Sequence, residues 1–146
     1  MKRLFAAIAL MVIAASATVY AQQVSGNRPE IDPKVSDAYS LLIQRKVKLQ
    51  AELEGMLREY SSEYPPAKGL QFELDALKTE MRKMSEVDQS KTSKLTSGYG
   101  ALVLRKASLA GQIQLLLQEQ SSEWPLTKEK QRELELLDGE IQELMK

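Results

Sequence analysis

Five carboxylates crowd the last stretch of the chain: Glu133, Glu135, Asp138, Glu140 and Glu143. Two cationic clusters, Arg45-Lys46-Lys48 and Arg105-Lys106, lie upstream of them. Neighbouring carboxylates can move protons or hold a hard cation such as calcium or magnesium through oxygen. Clustered cations can hold an acidic lipid headgroup or polymer. Neither group comes with the residues that make such chemistry specific. The chain has no histidine and no cysteine, which removes Ser-His and Cys-His nucleophilic systems, the usual zinc sites and haem ligation by histidine. The Glu-x-x-His di-iron pattern of helical bundles goes with them. No Gly-rich phosphate loop is present. A hydrolase working through a carboxylate pair is therefore the least favoured class. No enzyme activity, cofactor or metal is expected.

Whether these clusters are sites or solvated faces depends on the elements that carry them. Those elements are written twice. "SSEYPP" stands at residues 61 to 66 and "SSEWPL" at 121 to 126, an offset of 60 residues. Sliding 36–84 onto 96–144 gives 17 identities in 49 positions, among them Tyr39/Tyr99, Arg45/Arg105, Lys46/Lys106, Leu74/Leu134 and Leu77/Leu137. A duplication explains this better than chance.

Each unit holds two helical patterns. Leu42, Leu49 and Leu53 advance by sevens and fours, as do Leu102, Leu109 and Ile113 in the second copy. Beyond the proline, Leu74, Leu77 and Met81 are matched by Leu134, Leu137 and Ile141. Such a stripe is the seam of helices that pack in pairs, and Met56, Met81 and Met84 belong to it as packing residues. The seam register also includes Lys46 and Lys106, whose stems are expected to cover apolar surface while the ammonium reaches water. The remaining positions are largely Glu, Lys, Gln and Arg, good helix formers for a solvated face, and the terminal carboxylates are expected there. Strand-like alternation is absent.

The repeated phrase is a hairpin turn. Ser61-Ser62 and Ser121-Ser122 end one helix, because a serine hydroxyl competes for backbone groups. Tyr64 and Trp124 precede proline and are pushed into extended backbone. Pro65 and Pro125 then suit the first turn of the next helix, where a missing N–H costs nothing. The two rings either close the end of the hairpin core or form a binding edge. The fold predicted is all-α, with two tandem antiparallel helical hairpins, coiled-coil-like, at 36–86 and 96–146. Flanking apolar residues Ile43, Leu57, Val103, Leu117 and Leu136 widen the stripe beyond a two-helix seam. That calls for a four-helix bundle, built either within one chain or between two. Residues 87–95 form a joint, expected to be flexible, with a helix start near Thr96 or Ser97; a single bent helix is the alternative.

The N-terminus reads as a secretory signal peptide over 1–21. Lys2-Arg3 precede an apolar run, and Val19-Tyr20-Ala21 supplies the small-residue cleavage pattern after Ala21, with Ala15-Ser16-Ala17 as the alternative. An uncleaved anchor is the alternative, since the run approaches the ~17 residues of a spanning helix. Residues 22–35 are polar and Pro-containing, a disordered tether. Acidic and basic residues balance at 20 each, and loss of Lys2 and Arg3 leaves a slight acidic excess. That balance argues against nucleic-acid binding. An exported chain without cysteine has no disulfide staple, so packing alone stabilises it.

The stretch "LREYSSEYPPAKGLQFELDALKTEM" resembles the periplasmic coiled-coil hairpins of bacterial polysaccharide co-polymerases and related chain-length regulators. The likeness covers each hairpin rather than the chain. A second one, to periplasmic helical stress chaperones with an LTxxQ motif, rests on Leu126-Thr127-Lys128-Glu129-Lys130-Gln131, which is one residue longer than the motif. Both imply tandem helical hairpins in the envelope.

The expectation is thus a periplasmic or secreted, non-catalytic protein that binds a protein partner or itself, with a periplasmic chaperone as the alternative. Membrane contact is expected only through a retained leader. Intact-mass measurement on protein from the native host should find an N-terminus at Gln22. A full-length mass with membrane retention would point to the anchor instead.

Overall fold

The computed structural model describes residues 31–120 and 122–146. The leader, its cleavage residue Ala21, residues 22–30 of the tether and Ser121 lie outside the described residues. The described residues form four long helices: α1 (Asp37–Glu59), α2 (Pro65–Ser85), α3 (Ser97–Glu119) and α4 (Pro125–Leu144). Among the described residues there is no strand. The protein is all-α, two antiparallel helical hairpins packed together into a bundle.

The duplicated sequence builds duplicated helix starts. The Ser36 hydroxyl accepts a hydrogen bond from the Tyr39 N–H at 3.2 Å, and the Thr96 hydroxyl accepts one from Tyr99 at 3.3 Å. Each hydroxyl satisfies a backbone donor that the first helical turn leaves without an intrahelical partner. At the other end, Tyr60 and Gln120 are extended and stop α1 and α3. Tyr64 (φ −62, ψ 123) and Trp124 (φ −65, ψ 134) hold the extended backbone a pre-proline residue requires, and α2 and α4 begin on Pro65 and Pro125. Ser61, Ser62, Ser122 and the two prolines are exposed in these reversals.

The two hairpins are not equivalent. α1 packs on α2 and α3 on α4, and α3 also lies against both helices of the first hairpin, so α1, α2 and α3 surround the main core. α4 packs chiefly on α3, at the outside. Leu42, Leu49, Leu53, Leu74, Leu77, Met81, Leu109, Ile113 and Ile141 are buried. The remaining seam residues, Leu102, Leu134 and Leu137, are half-buried. The flanking apolar residues split: Val103 is buried, whereas Ile43, Leu57, Leu117 and Leu136 remain exposed.

Two positions allow α3 its close seat on the first hairpin. A Cβ at Gly111 would lie 2.7 Å from the Glu73 backbone nitrogen, and one at Gly100 would lie 2.8 Å from the Ala38 Cα. Both distances are below any tolerable contact, so only glycine permits them.

Two expectations about the connections need correction. The helices break as expected, with α3 starting at Ser97 and no single bent helix running through, but the joint expected to be flexible folds as a 3-10 helix, Gln89–Lys94. Leu95 is buried, and its carbonyl accepts the Ala38 N–H at 3.3 Å. A single buried leucine and one backbone bond thus fasten the segment to α1, which no periodic pattern foretold. The tether ends early for a similar reason. Pro33–Val35 form a 3-10 helix with Pro33 buried, and the Ser36 hydroxyl donates to the Pro33 carbonyl at 2.6 Å.

The repeat predicts equal weight for Leu77 and Leu137, but Leu77 is fully buried and Leu137 is not. Leu77→Ala should cost roughly 2 to 5 kcal/mol, and Leu137→Ala clearly less. Urea unfolding of both variants measures the difference; equal losses would mean α4 is covered as fully as α2.

Candidate functional site

Charge repeats as faithfully as the turns do. Arg45 donates from Nε and Nη2 to Glu73 Oε1 at 2.8 and 2.5 Å, and Arg105 does the same to Glu133 Oε1 at 2.9 and 2.6 Å. Each pair joins the two helices of its own hairpin. Lys68 meets Glu63 at 2.5 Å across the first turn, and Lys128 meets Glu123 across the second. These pairs are partly or largely exposed, so each is worth only about 0.2–1 kcal/mol. They set helix register more than they add stability.

Lys106 breaks the pattern. Its ammonium lies 2.6 Å from Asp138 Oδ1 on α4 and 3.1 Å from Glu80 Oε1 on α2, with the side chain only 16% exposed. It bridges the two hairpins, so the expectation that its ammonium reaches water is corrected. Lys46, its counterpart on α1, has no ion pair among the described residues. The repeat explains why: the position matching Asp138 in the first unit is Lys78, a like charge. Glu80 and Asp138 were invisible as partners because they come from different helices, and only the packing of α3 brings them together.

Tyr99 stands by this bridge. A hollow of about 330 Å³ opens there, with Glu80, Met84, Tyr99, Lys106, Asp138 and Ile141 in its wall. Burial would pull Lys106 down, but its bonds to Asp138 and Glu80 outweigh that and hold it above its ordinary value. Burial raises the Tyr99 phenol, and the Glu80 carboxylate pushes the same way against Lys106. A lysine kept charged and a phenol kept neutral are poor nucleophiles and poor bases at neutral pH. The arrangement suits fastening rather than proton transfer.

The remaining candidates are dispersed. Glu143 pairs with Lys146, Glu133 with Arg105 and Asp138 with Lys106, while Glu135 and Glu140 have no ion pair among the described residues. No group of three or more carboxylates among the described residues is placed to hold a metal ion. The Arg105-Lys106 cations already face carboxylates, which leaves them little field for an acidic ligand.

No family model, curated protein or solved structure matches the chain. The surface must be read from its own geometry.

At the tips, Tyr60 and Tyr64 stack with ring centroids 4.5 Å apart and planes at 19°. Tyr64 and Trp124 are both partly exposed, so the rings do not close a core. The second tip lacks the stack because Gln120 replaces Tyr60. Beside the first tip runs a groove of about 320 Å³, bordered by Leu53, Leu57, Ala67, Phe72 and Gln118. Thr127 is wholly buried where the first unit has Ala67, and its hydroxyl has no hydrogen-bond partner among the described residues. The larger apolar exposure lies on the outer helices: Ile43 and Val47 on α1, and Leu126, Leu136 and Leu144 on α4.

The inter-hairpin bridge carries a pH dependence. Lys106 and Tyr99 both have folded values raised above their ordinary 10.5 and 10.0. Stability from both is complete below about pH 10 and falls as pH climbs through the raised values, because the unfolded chain gives up its protons first. Urea midpoints measured from neutral pH to about pH 11 should drop at the alkaline end. The drop should be smaller in Lys106→Met and Tyr99→Phe, and an unchanged profile in both would show that neither group titrates differently on unfolding.

Proposed function

We propose that this is an exported, non-catalytic interaction protein that works through the outer faces of its helical hairpins. The observation that carries the reading is the apolar surface left exposed on α1 and α4. Ile43 and Val47 interrupt a charged face on α1, and Leu126, Leu136 and Leu144 do so on α4. Scattered single leucines need no explanation, but Ile43 and Val47, four residues apart, share one stripe of α1, and adjacent exposed apolar residues of this kind mark surfaces that bind. The leader-like sequence at 1–21 supports an envelope or secreted setting, and the hairpin resemblance to polysaccharide co-polymerases agrees with it. The near balance of charge favours protein over nucleic acid as partner.

A second reading has its own support. The groove at the first hairpin tip has an apolar side, Leu53, Leu57, Ala67 and Phe72, facing polar groups such as Gln71 and Gln118, a form suited to holding segments of unfolded clients. In that case the protein is a periplasmic helical chaperone, and it would suppress client aggregation at near-stoichiometric amounts.

A photo-crosslinking residue placed at Val47 or Leu136 in the native host should trap discrete partners, and one at the solvated Gln114 should not. Absence of crosslinks from both apolar positions would overturn the interaction reading. Diffuse crosslinks at Leu57, together with suppression of aggregation, would favour the chaperone.

A further inference from the structure

The internal repeat supplies its own interface, and each end of the molecule carries one unused half of it. Inside the chain, α3 and the segment leading into it seat Leu95, Val103 and Ala107 against the first hairpin, at 2, 1 and 2% exposure. Sixty residues earlier the same positions are Val35, Ile43 and Val47, which are apolar yet 68, 43 and 59% exposed. The receiving side shows the converse. On α2, Leu74, Leu77 and Met84 are buried, whereas Leu134, Leu137 and Leu144 on α4 are half-buried or exposed. The face that α1 leaves bare is the one α3 buries, and the face that α4 leaves bare is the one α2 buries.

We infer that copies of this chain associate head to tail, with α1 of one copy lying along α4 of the next as α3 lies along α2 within each chain. This rests on the reading of the protein as an interaction module and names its partner. Charge supports the pairing. The internal contact contains Lys106 beside Glu80 at 3.1 Å. The same two positions at the free ends are Lys46 and Glu140. Both keep the charge, and neither has an ion pair among the described residues. In the assembly, Lys46 of one copy meets Glu140 of its neighbour.

The match is looser than the original. Gly100 and Gly111, which allow the internal close approach, correspond to Ser40 and Ala51. Their Cβ atoms hold the helices further apart, so the contact between copies is weaker than the one within a copy and depends on concentration. It is also heterologous: each copy offers one head and one tail. Growth therefore continues past two copies unless a ring closes. Stacked helical-hairpin repeats normally end in polar capping faces, and here both ends are apolar.

The protein as exported by its host, studied by sedimentation velocity over a range of concentrations, should form a graded series of dimers, trimers and larger species. Lys46→Glu and Glu140→Lys should each weaken association at least tenfold without altering the thermal melt. An equimolar mixture of the two should restore it, because each variant supplies the charge the other lacks. Ile43→Glu should abolish it and leave the melt unchanged, because the site is exposed. A monomer at every concentration, a dimer that never grows, or a mixture of the charge variants that fails to recover would each overturn the inference. If the purified chain stays monomeric while crosslinks at Val47 capture a different envelope protein, the interaction reading stands and this one falls.

Discussion

The seat of α3 on the first hairpin depends on two missing Cβ atoms. At Gly111 and Gly100 the backbones of neighbouring helices approach so closely that even a methyl group would force them apart. Dispersion contacts fall off within an ångström, so this spacing decides how completely Leu74, Leu77, Val103 and Ala107 lose water. It also decides whether Lys106 can reach a carboxylate on α2. The main core is consequently a three-helix one, and the fourth helix is an addition to it.

Duplication made two hairpins with the same turns, caps and Arg–Glu pairs, but packing gave the copies different roles. α2 is covered on both flanks and α4 on one. The sequence has followed these roles: small residues occupy the α3 positions that face the first hairpin, while α1 keeps Ile43 and Val47 at the corresponding sites. The lysine shared by both units is mostly covered and twice paired in α3, yet in α1 it has no ion pair among the described residues. Identical residues do different work because their neighbours differ.

Much of this is legible in the amino-acid order alone. A serine or threonine three residues before a repeated tyrosine, and an aromatic before a repeated proline, act locally, so helix starts and turns could be read from short stretches. The seam was readable because its spacing follows helical geometry. What escaped was anything set by non-adjacent helices. Leu95 stands alone in a polar stretch and has no periodicity to announce its burial. Glu80 and Asp138 look like two more surface acids until α3 brings Lys106 between them. The half-covered state of Leu134 and Leu137 was hidden by the repeat itself, which argued for equality with Leu74 and Leu77. At the tips, alternation of ring and proline fixed the backbone but not where the rings would point.

The path of the chain has a mechanical consequence. Among the described residues, four antiparallel long helices bring the backbone back to the end at which α1 begins, and the Lys91 ammonium donates to the Met145 carbonyl at 2.7 Å beside the joint. A pull between Ile31 and Lys146 therefore acts across the helices rather than along them. Contacts would open in succession from that end, as in a zipper, instead of shearing all at once. The aromatic tips, about 34 Å away along a 23-residue helix, would bear none of the load until the last contacts opened.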